Sequence, residues 1–134
     1  MYVFENLNIY NQALRLAAGV ELVAESFPPS TNYFTDRLNK AAGSISAHVA
    51  EAHGHWKEEE CRDFFWKARE GTQECAGLLD IAARQGLISE GLKISFRLKL
   101  DNLHKLILDA IRNAEKKTEK SVPELAETIG LKVL

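Results

Sequence analysis

From Phe34 to Gly54 the chain places a repeating stripe at Phe34, Leu38, Ala41, Ile45, His48 and Ala52. The intervals alternate between four and three. Apart from His48, the stripe is apolar or small, and a period of about 3.5 residues sets it on one helix face, suited to near-parallel neighbours. Ala42, Gly43, Ser44, Ser46, Ala47 and Ala50 flank the stripe. Side chains this small let another helix come close. A glycine inside a helix costs ~1 kcal/mol relative to alanine, so tertiary packing must hold this segment. It is expected to be the central helix of a bundle.

Three further helices follow from the same pattern. The first is expected from Glu5 to Ser26 and carries two stripes, one through Leu7, Tyr10, Leu14, Ala17 and Ala24, the other through Ile9, Ala13, Leu16, Val20 and Val23. A surface helix in a small bundle needs one. The other must be covered by the C-terminal tail or by another subunit. Phe27-Pro28-Pro29 ends this helix, and Ser30 or Thr31 can cap the next. That second helix is expected to reach His53, with Gly54 in the C′ position. The third runs from Glu58 to Gln85, with Glu58, Glu59 and Glu60 at the positive end of its dipole. Its stripe is Cys61, Phe65, Ala68, Thr72, Cys75, Leu79 and Ala82, widened by Phe64 and Leu78, and Gly86 stops it. The fourth begins near Leu92 behind Ser89 as N-cap and extends to Lys117. Leu92, Phe96, Leu100, Leu103, Ile107, Ala110 and Ala114 form its core face, and Leu98, Leu106 and Ile111 add a second apolar side.

Short connections favour antiparallel neighbours. The expected fold is therefore all-α, an antiparallel up-down-up-down four-helix bundle over residues 1–120 with a short C-terminal tail over 121–134. Ser121 and Glu124 form a capping box for a short helix near Pro123–Thr128. Ile129, Leu131, Val133 and Leu134 require burial on the bundle or on a neighbouring subunit.

Length and composition fit this picture. The 134 residues are 46% hydrophobic and 27% charged, ordinary for one soluble domain. No uncharged apolar run reaches the ~18 residues of a membrane span, and the start lacks the basic region of a secretory signal. The expectation is a cytoplasmic protein with no membrane partner. Cys61 and Cys75 stand fourteen residues apart on one helix, roughly 21 Å, too far to bridge. They read as small buried hydrophobes. The net charge of −2 argues against a strongly basic nucleic-acid module. Charge is nonetheless uneven, because residues 91–120 hold 8 basic and 4 acidic side chains. Lys93, Arg97, Lys105, Arg112 and Lys116 lie on the fourth helix, and Lys105, Arg112 and Lys116 share a face interrupted by Asp109. In an assembled ring such patches would add and attract phosphate.

Few residues suggest chemistry. His48, Glu51 and His55 fall at i, i+3 and i+7 and are the candidate metal ligands, imidazole and carboxylate suiting several divalent ions. Di-metal bundles, however, draw Glu-x-x-His from two helices and Glu from two others. Here the order is His-x-x-Glu, and the first and third helices have no histidine. No cofactor is expected. Phosphate-binding glycine loops and CxxC are missing, and Ser44 and Ser46 lack a nucleophile elbow.

The segments FENLNIYNQALRL, SFPPSTNYF, RLNKAAGSISAHVAEAHGH and DFFWKAREGTQECAGLLDIA together resemble the four-helix bundle proteins encoded in intervening sequences of bacterial 23S rRNA genes, over about residues 4–111. That family reads roughly Leu-Arg-Arg-Ala-Ala-x-Ser-Ile-x-x-Asn-Ile-Ala-Glu-Gly in its second helix. Leu38, Lys40, Ala41, Ala42, Ser44, Ile45, Ala50 and Glu51 fit, with Lys40 for an arginine. Glu74 matches a glutamate that recurs in the third helix. His48 replaces the usual asparagine, Ala52 a glycine, and His55 stands about where an arginine does. The resemblance implies an antiparallel bundle assembled into a ring, often five-fold. It also implies kinship with the accessory protein of diversity-generating retroelements, which partners a reverse transcriptase and nucleic acid.

These readings together lead to the expectation of a non-enzymatic homo-oligomeric scaffold or adaptor for RNA, DNA or an enzyme such as a reverse transcriptase. The alternatives are a metal-binding bundle or small metal-dependent enzyme using His48, Glu51 and His55, and a purely structural module.

Overall fold

Four helices account for nearly all of the described backbone: α1 (Asn8–Ala24), α2 (Asn32–Gly54), α3 (Glu58–Arg84) and α4 (Glu90–Thr128), with a 3-10 turn at Pro29–Thr31 before α2. The structure is a computed structural model that describes residues 7–55 and 57–128, with side chains described as far as Ala114. No strand occurs among the described residues. Each helix touches the next in sequence, and α1 also touches α4, so the four close into a ring around one core.

Four positions of the stripe expected on α2 form the centre, while Phe34 and His48 are only partly buried and Val49, outside the expected stripe, takes the inward place beside His48. Leu38, Ala41, Ile45, Val49 and Ala52 are buried, and Ile45 is completely enclosed. Phe65, Ala68, Thr72, Cys75, Leu79 and Ala82 face them from α3, and Phe96, Leu100, Leu103, Ile107 and Ile111 from α4. Each large aliphatic side chain enclosed this way stabilises the fold by about 1.5–3 kcal/mol. Neighbouring helices meet in opposite order. From α2 to α3, Arg37 meets Glu74 and His48 meets Phe64. From α3 to α4, Thr72 meets His104 and Asp80 meets Lys93. From α4 to α1, Phe96 meets Gly19 and Asn102 meets Gln12. That is the register of antiparallel packing.

The turns show where local chemistry decided and where it did not. At the end of α3, Gly86 takes φ +76°. The Leu87 amide donates to Ala82 and the Gly86 amide to Ala83, a Schellman closure that glycine makes without steric cost. The Ser89 Oγ accepts the Leu92 amide at 3.1 Å and caps α4. Thr31 precedes α2 but makes no capping bond. Its hydroxyl donates to Pro28 instead, at 2.7 Å, and so secures the 3-10 turn. Gly54 is the last residue of α2 and does not take a left-handed conformation; the chain leaves the helix because His55 is extended.

Two expectations are corrected. α4 does not stop at Lys117. Its backbone continues to Thr128 through Ser121, Pro123 and Glu124, so the short helix expected near Pro123–Thr128 is the end of α4 rather than a separate element. A proline removes one donor and crowds one turn, and here the flanking helix absorbs that. Residues 129–134, including the apolar Ile129, Leu131, Val133 and Leu134, lie outside the described residues. Of the two stripes on α1, the core takes Ala13, Leu16 and Val20 from one and Ala24 from the other, and Ile111, expected on the second apolar side of α4, also belongs to the core. Among the described residues the large apolar side chains left outside are Leu14 and Leu22 on α1, Tyr33 on α2, Trp66 and Ile81 on α3, and Ile94 and Leu98 on α4, with Leu22 and Leu98 the most exposed of the aliphatic ones.

Candidate functional site: a charged groove between α2 and α3

Tyr33, Arg37, Lys40, Ser44 and His48 recur every three or four residues along α2, which places them on one edge of that helix. Lys67, Glu70 and Glu74 do the same on α3. The two edges meet and enclose an open groove of about 820 Å³, floored by Ala41 and Gly71 and bordered at one end by Asp36.

The groove exists because α2 and α3 approach so closely beneath it. A methyl group on Gly71 would stand 3.0 Å from Ser44 Oγ and 3.1 Å from Ile45 Cγ1. Only hydrogen fits without displacement. Ser44 Oγ donates to the Ala41 carbonyl at 2.8 Å, and Ser46 Oγ to Gly43 at 3.0 Å. Both hydroxyls are thus turned back onto their own helix, and neither is left as an unpaired donor. Arg37 Nε reaches Glu74 Oε1 at 3.4 Å and ties the two walls together near one end. At the other end the Lys67 ammonium lies 4.6 Å from the centre of the Phe64 ring. His48 is half-buried beside that ring, and its Nδ1 is buried without a hydrogen-bond partner. Tyr33 is 87% exposed at the mouth. Three cations and three carboxylates line the groove, so its electrostatic character is mixed rather than cationic.

Three positions singled out in the sequence, Ser44, His48 and Glu74, therefore converge on one site. Glu51 does not line it and stands exposed. Nor are His48, Glu51 and His55 brought together. The seven-residue spacing held only while the helix continued, and His55 has left it. Its Nδ1 pairs with Glu60 at 2.9 Å, and its ring stacks on Phe64 with centroids 4.8 Å apart. Among the described residues no group of three or more histidine, cysteine, aspartate or glutamate side chains is gathered to hold a metal ion.

The cations of α4 are scattered in role. Lys93 is half-buried and held between Glu90 at 2.9 Å and Asp80 at 3.4 Å, and the Glu90 hydrogen bond raises its pKa most. Arg97 pairs with Asp101 and Arg112 with Asp109. Lys105 is exposed on the same outward line as Arg112, and the side chain of Lys116 lies outside the described ones. Both cysteines are free. Burial, with a smaller contribution from Glu74, pushes the Cys75 thiol from its ordinary 9.0 up to about 12.

Sequence reasoning missed Gly71, Arg37, Tyr33 and Lys67 as parts of this site. The signal was present as a polar edge running beside the apolar stripe on each helix. Among the described residues no helix is long and apolar enough to cross a membrane. A comparison with curated proteins finds no match. The family model described as 23S rRNA-intervening sequence protein matches residues 5–109, which spans the groove and most of the four helices. The chain belongs to the 23S rRNA-intervening sequence protein family.

Proposed function

We propose that this protein is a non-catalytic scaffold that assembles with copies of itself and acts as an adaptor for nucleic acid or for an enzyme that works on it, such as a reverse transcriptase. The observation that carries the reading is the apolar surface left outside the bundle. Leu22 is 68% and Leu98 66% exposed, with Leu14 and Ile94 beside them, although the core beneath is complete. Surface of this kind marks contact with another protein. Contact through α1 and α4 leaves the α2–α3 groove open to a partner, and its balanced charges suit a polypeptide surface. Lys105 and Arg112, seven residues apart on the outward side of α4, offer phosphate a place to bind once copies adjoin.

Light scattering on the purified protein tests assembly; a particle of one chain's mass would overturn it. Mobility shift with a structured RNA, at low and raised salt, tests the nucleic-acid arm. Binding that weakens with salt is expected, and no shift at low salt would remove direct binding. Pull-down with a reverse transcriptase from the same genetic neighbourhood tests the protein arm.

A further inference from the structure

His104 on α4 is held in one tautomer by a chain of bonds that begins on α3. The Thr72 hydroxyl is buried and donates to the Arg69 carbonyl at 2.6 Å. A hydroxyl has one hydrogen and otherwise only lone pairs. The same Oγ lies 3.2 Å from His104 Nδ1, so the hydrogen in that contact comes from the ring. In the neutral imidazole the proton therefore sits on Nδ1, and Nε2 keeps its lone pair. Metal-binding histidines are arranged in this way. The nitrogen away from the metal donates to a fixed oxygen, which sets both tautomer and ring orientation.

Other donors surround that lone pair. His104 lines an open pocket of about 420 Å³ between α3 and α4, together with Asp101, Arg97 and Gln73. Asp101 stands three residues before His104, so carboxylate and imidazole share one face of α4. Carboxylate-x-x-His is the order in which helical bundles supply metal ligands, and the order that His48 and Glu51 reverse. Gln73 brings an amide oxygen to the same pocket from α3. A divalent ion with six waters, at about 30 Å³ each, fits the space. Asp101 is paired with Arg97 at 3.2 Å, but the two side chains are 64% and 61% exposed. An exposed pair of this kind is weak and yields to a divalent ion.

We propose that Asp101 and His104 form a binding site for a divalent ion of the zinc class, held through the Asp101 carboxylate and His104 Nε2. Gln73 is the neutral third donor, and water completes the shell. An imidazole ligand selects zinc, nickel or copper over magnesium and calcium. Thr72 is a positioning residue, and Arg97 competes with the ion for Asp101. The α2–α3 groove takes no part.

Nickel(II) is the probe, because its unpaired electrons broaden the NMR signals of nearby nuclei and so locate it. At neutral pH it should broaden the amide signals of residues 73 and 101–105 first, while magnesium leaves them unchanged. His104→Ala and Asp101→Asn should each weaken nickel binding by about tenfold or more. Thr72→Val keeps the volume and removes the acceptor. It should move the His104 proton to Nε2, visible in the ring nitrogen shifts, and weaken nickel about 10–100-fold, with circular dichroism showing the fold retained. Arg97→Gln frees Asp101 and should tighten nickel several-fold. Broadening that begins at His53 and His55, undiminished binding in His104→Ala, or a wild-type His104 proton on Nε2 would each overturn the site. Unchanged affinity in Arg97→Gln would mean that Asp101 is not a ligand and would overturn the pair.

Discussion

Gly71 illustrates how one missing side chain sets the spacing of two helices. Its surroundings leave room for hydrogen alone, whereas nothing lies within 4 Å of where a Cβ on Gly77 would stand. The two glycines should therefore respond oppositely to substitution. Gly77→Ala should raise stability by about 0.5–1 kcal/mol, because alanine suits an exposed helix position. Gly71→Leu should lower it by about 2 kcal/mol or more, because it forces α2 and α3 apart. Urea denaturation of both variants measures the contrast, and equal responses would mean the close approach is not real. Cys75 makes a second residue-scale prediction. Its folded-state pKa of about 12 lies above the ordinary 9.0, so burial favours the protonated thiol. Its contribution is complete below about pH 9. Between about 9 and 12 the unfolded chain loses the proton and the folded chain keeps it, and stability falls by up to ~1.4 kcal/mol per pH unit. The difference in pH dependence between wild type and Cys75→Ala isolates this effect from other groups. Parallel profiles would count against it.

Helix ends were legible where a single side chain decides them. Glycine at 86 and serine at 89 take the roles their residue types favour, and the bonds at Ala82, Ala83 and Leu92 follow. Ser89→Ala should cost about 1 kcal/mol and speed amide exchange in the first turn of α4, while Ser89→Asp should retain most of the cap. Unchanged exchange in the alanine variant would mean the bond contributes nothing. Other ends were not legible. Thr31 has the right residue type for a cap, but the Pro28–Pro29 turn offers its hydroxyl a carbonyl first. The end of α4 was misplaced because a proline permits two outcomes, a break or a bend, and local preference does not choose between them. At about 58 Å for its 39 residues, α4 exceeds the about 40 Å of α3.

At the scale of the whole molecule, Ile45 lies at zero exposure where α2 meets the rest of the core. Ile45→Asp places an unpaired charge there, at a cost of several kcal/mol, comparable with the entire stability of about 5–15 kcal/mol expected for a small domain. Thermal melting by circular dichroism should show a large fall or loss of the cooperative transition. An unchanged melting temperature would mean the stripe faces water. The groove also belongs to this scale. Arg37 and Glu74 are 37 residues apart in the chain and 3.4 Å apart in space. Periodicity places each on the edge of its helix, but only the packing of α2 on α3 brings the edges together.

The sequence by itself determined the four helices, the stripe that faces inward on each, and the presence of more apolar surface than one bundle uses. These follow from local preference and from a period that repeats every three or four residues, both of which a linear chain displays. Tertiary structure alone decided which surplus residues stayed outside. It turned Ala13, Leu16 and Val20 on α1 and Ile111 on α4 inward and left Leu14 and Leu98 exposed. It also separated His48, Glu51 and His55, and joined Ser44, His48 and Glu74 on one groove. The reason is that a helix face is a direction, and what occupies that direction depends on the rotation and closeness of the neighbouring helix, which Gly71 sets from another part of the chain.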